Sequence, residues 1–347
     1  MNKKLKIKII QPDDWHVHLR EGEIMKAVLK YSFRINNRCV IMPNLETPIT
    51  KSSLAKKYKK EIEEIATNLS IKTLIPCYLT ESLDLDDFRN ALRKNIFIGA
   101  KLYPTNTTTN SNYGISIIEN IFSALEILEK ENKYLLIHGE KANKDIDIFD
   151  REKYFVDDEL VKIRKTFPNL KIILEHVSSK YGADYVQETN NIAGTITPQH
   201  LLLTKKDVYI DNKINPHHYC MPVVKNESDL IALRNYACSG NSKFFLGTDS
   251  APHHINNKDS DLSLKPGIFT SPCSLELYTN IFEEEDSLHH LESFTSINGP
   301  VFYDLPINEK KITIVKEKWI LPEYTNYKNV KIKNFFGGKE INWKVVK

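Results

Sequence analysis

Residues 13–20 read DDWHVHLR, and the reading of this stretch decides how the rest of the chain is understood. It follows the apolar alternation KIKII at 6–10, so it lies where a first strand ends. Residues two apart on a strand face the same side, so His16 and His18 present both imidazoles to one face. Two imidazoles held together resist joint protonation, and a divalent ion removes the difficulty by taking one lone pair from each. An HxH triplet alone is weak support for such a site, because hydrogen-bonded core or surface histidines account for most of them.

Seven further apolar runs follow: RCVIMPN, IKTLIPCYLT, IGAKLYP, YLLIHGE, KIILEHV, IAGTITPQH and KFFLGTDS. Continuous apolar runs suit strands covered on both faces. The segments between them, such as SLAKKYKKEIEEIATNL and IIENIFSALEILEKE, carry apolar residues at helical spacing. Strand and helix alternating eight times predict an α/β chain folded as a (β/α)8 TIM barrel. An open doubly wound sheet would place a glycine-rich turn after its first strand; none is present, and the chain has only 12 glycines. Past residue 305 the pattern changes to extended or hairpin segments, KKITIVKEKWILPEY and VKIKNFFGGKEINWKVVK. We therefore expect a barrel over 1–305 and a C-terminal extension over 306–347 packed on it.

In a barrel, active sites lie at the mouth formed by the strands' C-terminal ends. His138 ends the fifth run, His176 the sixth and Asp249 the eighth, so four histidines and a carboxylate are expected at one mouth. That nitrogen and oxygen donor set suits zinc or a similar ion and is large enough for two. Lys101, ending the fourth run, is then out of place, since an ammonium directed into a cluster of cations is severely unfavourable. Either it is an interior lysine paired with a carboxylate, or its neutral amine has added carbon dioxide to give a carbamate that bridges two metals. Position alone leaves both open. His200, ending the seventh run, is read as a residue that supports the site or has a structural role without binding metal, and His217, His218, His254, His289 and His290 as structural or surface residues.

Composition narrows the partners. A net charge of +3, with 41% hydrophobic and 27% charged residues, describes an ordinary soluble protein. No basic stripe interleaves with aromatics as a nucleic-acid surface requires. No apolar run approaches the roughly 20 residues that span a bilayer, and the lysine-broken start MNKKLKIKII reads as a strand, not a signal peptide. Cys39, Cys77, Cys220, Cys238 and Cys273 are scattered without CxxC spacing and read as buried thiols of a cytoplasmic protein. A small-molecule partner is expected.

Taken together, PDDWHVHLREG, VIMPNLETP, AKLYPTNTTTNS, IHGE, DIDIFDRE, EHVSSKYGADYV, TITPQHLL, PHHYCMPVVK, LGTDSAPH and SINGPVFY resemble the dihydroorotases of the shorter, stand-alone class in the amidohydrolase superfamily. The match runs from about residue 10 to about 305. The resemblance implies reversible cyclisation of N-carbamoyl-L-aspartate to L-dihydroorotate in pyrimidine biosynthesis, and a cytoplasmic homodimer. It implies two zinc ions: His16, His18 and Asp249 would hold one, His138 and His176 the other. N6-carboxylated Lys101 and a hydroxide would bridge them, with Asp249 as the catalytic base and then acid. Arg20, Asn44 and His253 would bind the substrate carboxylate. His138, Met221 and Pro266 would also contact substrate, and Thr108 and Thr109 would lie on a closing lid. Lys265-Pro266-Gly267, within the expected rim NNKDSDLSLKPGIF, departs from the family's small-residue pattern. Two rivals stand beside this reading: a hydantoinase or allantoinase using the same metals, and a non-catalytic scaffold for another pyrimidine enzyme such as aspartate transcarbamoylase.

Overall fold

The computed structural model describes residues 5–67, 69, 72–143, 145–211, 213–259 and 264–346. Residues 1–4 of the first run and 260–263 of the expected rim lie outside the described residues. The chain is a (β/α)8 barrel. Its parallel staves are Asp13–Val17, Arg38–Ile41, a split third strand, Gly99–Leu102, Tyr134–His138, Lys171–Glu175, Ile192–Ile196 and Phe244–Leu246. The third strand is interrupted at Pro76, which has no N–H to give a ladder. Lys72–Leu74 pairs back to the second stave, and Cys77–Tyr78 pairs forward to the fourth. The circle closes where Val17 bridges Ser250, with His18 N donating to Ser250 O at 3.0 Å and Asp249 N to His16 O at 2.9 Å.

The first run is two strands and not one, which corrects the sequence expectation. Lys6–Ile10 turns away from the barrel and pairs antiparallel with Lys311–Ile320, which in turn pairs with Glu340–Val346. The small sheet therefore takes one strand from residues 1–305 and two from 306–347, so the division drawn from composition does not follow the pairing. Its Trp343 is fully buried and donates Nε1–H to Glu283 Oε2 at 3.0 Å on the helix Ser274–Glu284, where Glu276 Oε1 accepts from Val345 N.

Outer helices cover the staves with apolar faces, as Met25, Val28, Leu29 and Phe33 do on Gly22–Ile35. Inside, the lower half of the barrel is plugged by Trp15, Val40, Met42, Leu136, Ile173, Ala193, Phe245 and Tyr303. Trp15 stacks on Tyr303 at 4.3 Å, and Gly299 admits its indole so closely that a Cβ there would lie 1.9 Å from Nε1. The plug leaves the upper half of the barrel for polar groups.

Because the C-terminal strands are packed through Trp343, truncating that side chain should destabilise the whole chain. We expect Trp343→Ala to lower unfolding free energy by about 3–5 kcal/mol in a urea titration. A loss under about 1 kcal/mol would mean that the small sheet contributes little to the cooperative unit.

Candidate metal centre

The first stave carries a bulge between Asp14 and Val17, where two residues face one on the neighbouring strand. A bulge re-aims side chains, and here it turns both Trp15 and His16 inward, one into the plug and one into the mouth. His18, two residues on, reaches the same mouth. His16 Nε2, His18 Nε2 and Asp249 Oδ1 lie within 3.3 Å of one another, and the three residues form a possible metal site. On the fifth and sixth staves His138 Nδ1 and His176 Nε2 stand 3.1 Å apart, and the His176 ring centroid is 5.1 Å from that of His16.

Two carboxylates that the sequence reading missed orient these rings. Glu175 Oε2 accepts from His16 Nδ1 at 2.7 Å, and Glu140 Oε2 from His138 Nε2 at 2.9 Å. Each carboxylate fixes the proton on the far ring nitrogen, which turns a lone pair of His16 and of His138 into the mouth. Glu140 was legible, since it follows His138 by two residues and shares its face. Glu175 was not, because it precedes His176 directly and successive side chains on a strand point apart. The backbone resolves this by turning left-handed at His176, φ 42°, so that both neighbours serve the mouth. Asp249, φ 43°, and Arg20, φ 60°, share that conformation. Each such turn at a non-glycine residue costs on the order of 1 kcal/mol or more and concentrates at functional sites.

The electrostatics leave the imidazoles as donors. Burial, reinforced by the Arg20 cation, drives His18 down to about 3. Burial also lowers His138, and puts His176 well below the ordinary histidine value. His16 is the exception: burial opposes its charge, but Glu175 and Asp249 together raise it. Asp249 is held well below the carboxylate range by His16 and His18, against the push of burial. Lys101 is fully buried, its Nζ has no hydrogen-bond partner among the described residues, and burial brings it down to about 8 despite Glu175 and Asp249. Opposed nitrogens 3.1–3.3 Å apart with oriented lone pairs, beside the Asp249 carboxylate, fit a divalent-metal centre.

A cavity above this centre is walled by Arg20, Asn44, Tyr103, Thr108, Thr109, Met221, Pro266 and Gly267, with the four histidines and Asp249 at its floor. Arg20 donates Nε–H to Pro252 O at 3.2 Å, and among the described residues no carboxylate lies at ion-pair distance from its guanidinium. His253 stands behind it, outside the wall: its Nε2 lies 3.1 Å from Arg20 Nη2 and 2.9 Å from Pro266 O, and it serves one of them in each tautomer. The loop with Thr108 and Thr109 is drawn over the mouth. Asn44 Nδ2 donates to Thr109 O at 2.9 Å, Asn110 Nδ2 to Asn44 O at 3.0 Å, and Tyr78 Oη to Asn110 O at 3.1 Å. The Thr109 hydroxyl is buried without a partner. His200 is occupied elsewhere, between Thr197 Oγ1 and Pro222 O.

No protein-family model matches the chain. It is 46% identical over 345 residues to a dihydroorotase of Buchnera aphidicola subsp. Schizaphis graminum, covering 99% of this chain and 98% of that one. Among solved structures it matches a dihydroorotase from Saccharomyces cerevisiae in complex with 5-fluoroorotic acid, with TM-score 0.90 and 30% identity over 98% of each chain. An L-hydantoinase from Arthrobacter aurescens matches with TM-score 0.79 at 14% identity, over 97% of this chain and 82% of that one, a likeness of fold alone. By its sequence, over nearly its whole length, the chain belongs to the dihydroorotase family.

Proposed function

We propose that this chain interconverts N-carbamoyl-L-aspartate and L-dihydroorotate in pyrimidine biosynthesis, and that it does so at the mouth described above. Its family supports the reaction, and one observation of the geometry carries the choice of substrate: Arg20, an unpaired guanidinium at the cavity wall, backed by His253 and 3.4 Å from the metal-site residue His18. A guanidinium fork binds a carboxylate in two parallel hydrogen bonds. Hydantoin rings lack a carboxylate next to the scissile amide, so they would leave that fork empty. The Saccharomyces cerevisiae relative, solved with a ring that bears a carboxylate, agrees with this reading.

In this proposal His16, His18 and Asp249 would hold one zinc ion and His138 and His176 a second, and a carbamate on Lys101 would supply them with an anionic ligand. Bound ions would polarise the ring carbonyl and lower the pKa of an attacking water. The rest falls to the chain. Lys101 adds carbon dioxide through its neutral amine and releases one proton, which its depressed basicity favours. Asp249, held anionic, takes the proton of the attacking water and passes it to the departing ring nitrogen, serving as base and then as acid. Arg20 and Asn44 bind the carboxylate, with His253, expected from the sequence to bind it too, holding the guanidinium from behind, while His138, Met221 and Pro266 line the ring. The unpartnered Thr109 hydroxyl, with Thr108 beside it, is available to the ligand when the loop is down. Five free buried thiols support a reducing, cytoplasmic setting, and no helix among the described residues is long and apolar enough to cross a membrane. The family resemblance further suggests a homodimer.

The decisive experiment follows dihydroorotate hydrolysis by loss of ring absorbance, with zinc per chain measured in the same sample. Turnover with close to two zinc ions is expected; a filled site without turnover would overturn the reading. Arg20→Met should lower kcat/KM at least about a hundredfold, corresponding to loss of a charge-paired contact of about 2–5 kcal/mol, with zinc content unchanged. Asp249→Asn should abolish turnover, because the amide can neither take nor return the proton.

Lys101 also makes a prediction about stability in zinc-free, carbon-dioxide-free protein. Its amine sits near 8 in the folded chain and near 10.5 when unfolded, so between these pH values the unfolded chain binds more protons and stability rises with pH. Below pH 8 the cost of the buried ammonium is felt in full. Lys101→Met should therefore be more stable than the parent at pH 7, by an amount of order 3 kcal/mol, and the advantage should vanish as pH approaches 10.5. Denaturant titrations of both proteins at several pH values would read it. A gap that does not change with pH would refute the buried-cation account.

A further inference from the structure

Behind the cavity wall lies a second buried lysine. Lys258 ends the short helix Ile255–Lys258 and is 5% exposed, and among the described residues no carboxylate lies at ion-pair distance from its Nζ. Among the described residues its hydrogen-bond partners are backbone carbonyls: Tyr219 O at 3.1 Å, Lys265 O at 3.0 Å and Gly267 O at 2.8 Å. An ammonium has three protons to donate and no acceptor of its own, so three carbonyls satisfy it. Burying it is still expensive, and burial lowers its basicity to about 7.

The placement of these carbonyls gives the expense a purpose. Lys265 and Gly267 flank Pro266, and Tyr219 lies two residues before Met221; Met221, Pro266 and Gly267 are cavity wall. The two segments are also tied directly, since Gly267 N donates to Tyr219 O at 3.0 Å. On the other side Gly267 is pressed close against the eighth-strand loop. With φ 140° it holds a conformation that L side chains rarely adopt, and a Cβ there would lie 2.7 Å from Ala251 O. The strip is thus clamped between Ala251 in front and Lys258 behind.

We propose that Lys258 is a positioning residue: its ammonium gathers residues 219–221 and 265–267 into one rigid backbone wall against which the substrate ring is held. This rests on the dihydroorotase reading for the identity of the ring, but the clamp itself does not. It also accounts for how Lys265-Pro266-Gly267 keeps a defined wall whatever side chains it carries: the lysine grips main-chain atoms.

The test uses the full, zinc-loaded chain and compares the parent with Lys258→Met and Lys258→Arg. KM and kcat for dihydroorotate, zinc content and hydrogen exchange at the Gly267 amide are measured together. In Lys258→Met, zinc should be unchanged, KM should rise about tenfold or more while kcat changes less than about threefold, and the Gly267 amide should exchange faster. Lys258→Arg, which still donates to carbonyls, should recover part of the KM. If Lys258→Met does not fold, Lys258→Gln, with two donors, takes its place and should lie between the parent and a full loss. Unchanged KM in a folded variant overturns the role in substrate binding, and so does a fall in kcat at constant KM. If the parent turns over no dihydroorotate, the substrate reading falls; exchange at Gly267 then decides the clamp alone, faster exchange supporting it and unchanged exchange overturning it.

Discussion

A fully buried lysine amine with no acceptor in reach among the described residues is the constraint on which the rest of the structure depends. Lys101 cannot be a comfortable cation beside four imidazoles, and it is not relieved by an ion pair. Everything around it reduces the cost of that position or puts it to use. Glu175 and Asp249 bring negative charge, the imidazoles stay largely neutral, and the aromatic plug below keeps water from entering beneath. In a rigid barrel such a group has few ways to move aside. The proposed carbamate turns the least favourable residue of the interior into the anion that the neighbouring donor set calls for.

Around this centre the polar groups fall into two tiers with different tasks. The lower tier, His16, His138 and their carboxylates Glu175 and Glu140, is nearly dry and fixes which ring nitrogens face inward. The upper tier, Arg20, His253, Asn44 and the Thr108–Thr109 loop, is bound mainly to backbone carbonyls and to itself. It has no strong internal partner to give up when an anionic ligand arrives. The lower tier is therefore suited to holding a metal, and the upper tier to the proposed recognition of a substrate carboxylate.

Much of this was legible in the residues. Eight apolar runs gave the barrel, and polar residues at their ends marked one mouth. The misreadings have physical causes. KIKII and DDWHV look like one amphipathic strand, because both alternate; only the partner 300 residues away reveals that the first belongs to another sheet. The bulge that admits both Trp15 and His16 has no signature in a pattern of period two. Glu175 was hidden by its neighbour, since left-handed turns at ordinary residues leave no mark in the sequence. Lys258 was invisible for a related reason: its partners are main-chain oxygens, which are the same whatever the residue.

The small two-ended sheet bears on how the chain is made. During synthesis from the ribosome, Lys6–Ile10 emerges about 300 residues before its partner Lys311–Ile320, while His18 waits for Asp249, 231 residues on. No nascent fragment that stops short of Asp249 can bring it to His16 and His18 or close the barrel. The waiting strand is an open edge, and edges recruit wrong partners. Its exposed lysines, Lys6 and Lys8, alternate with Ile7 and Ile9 and put charge along that edge.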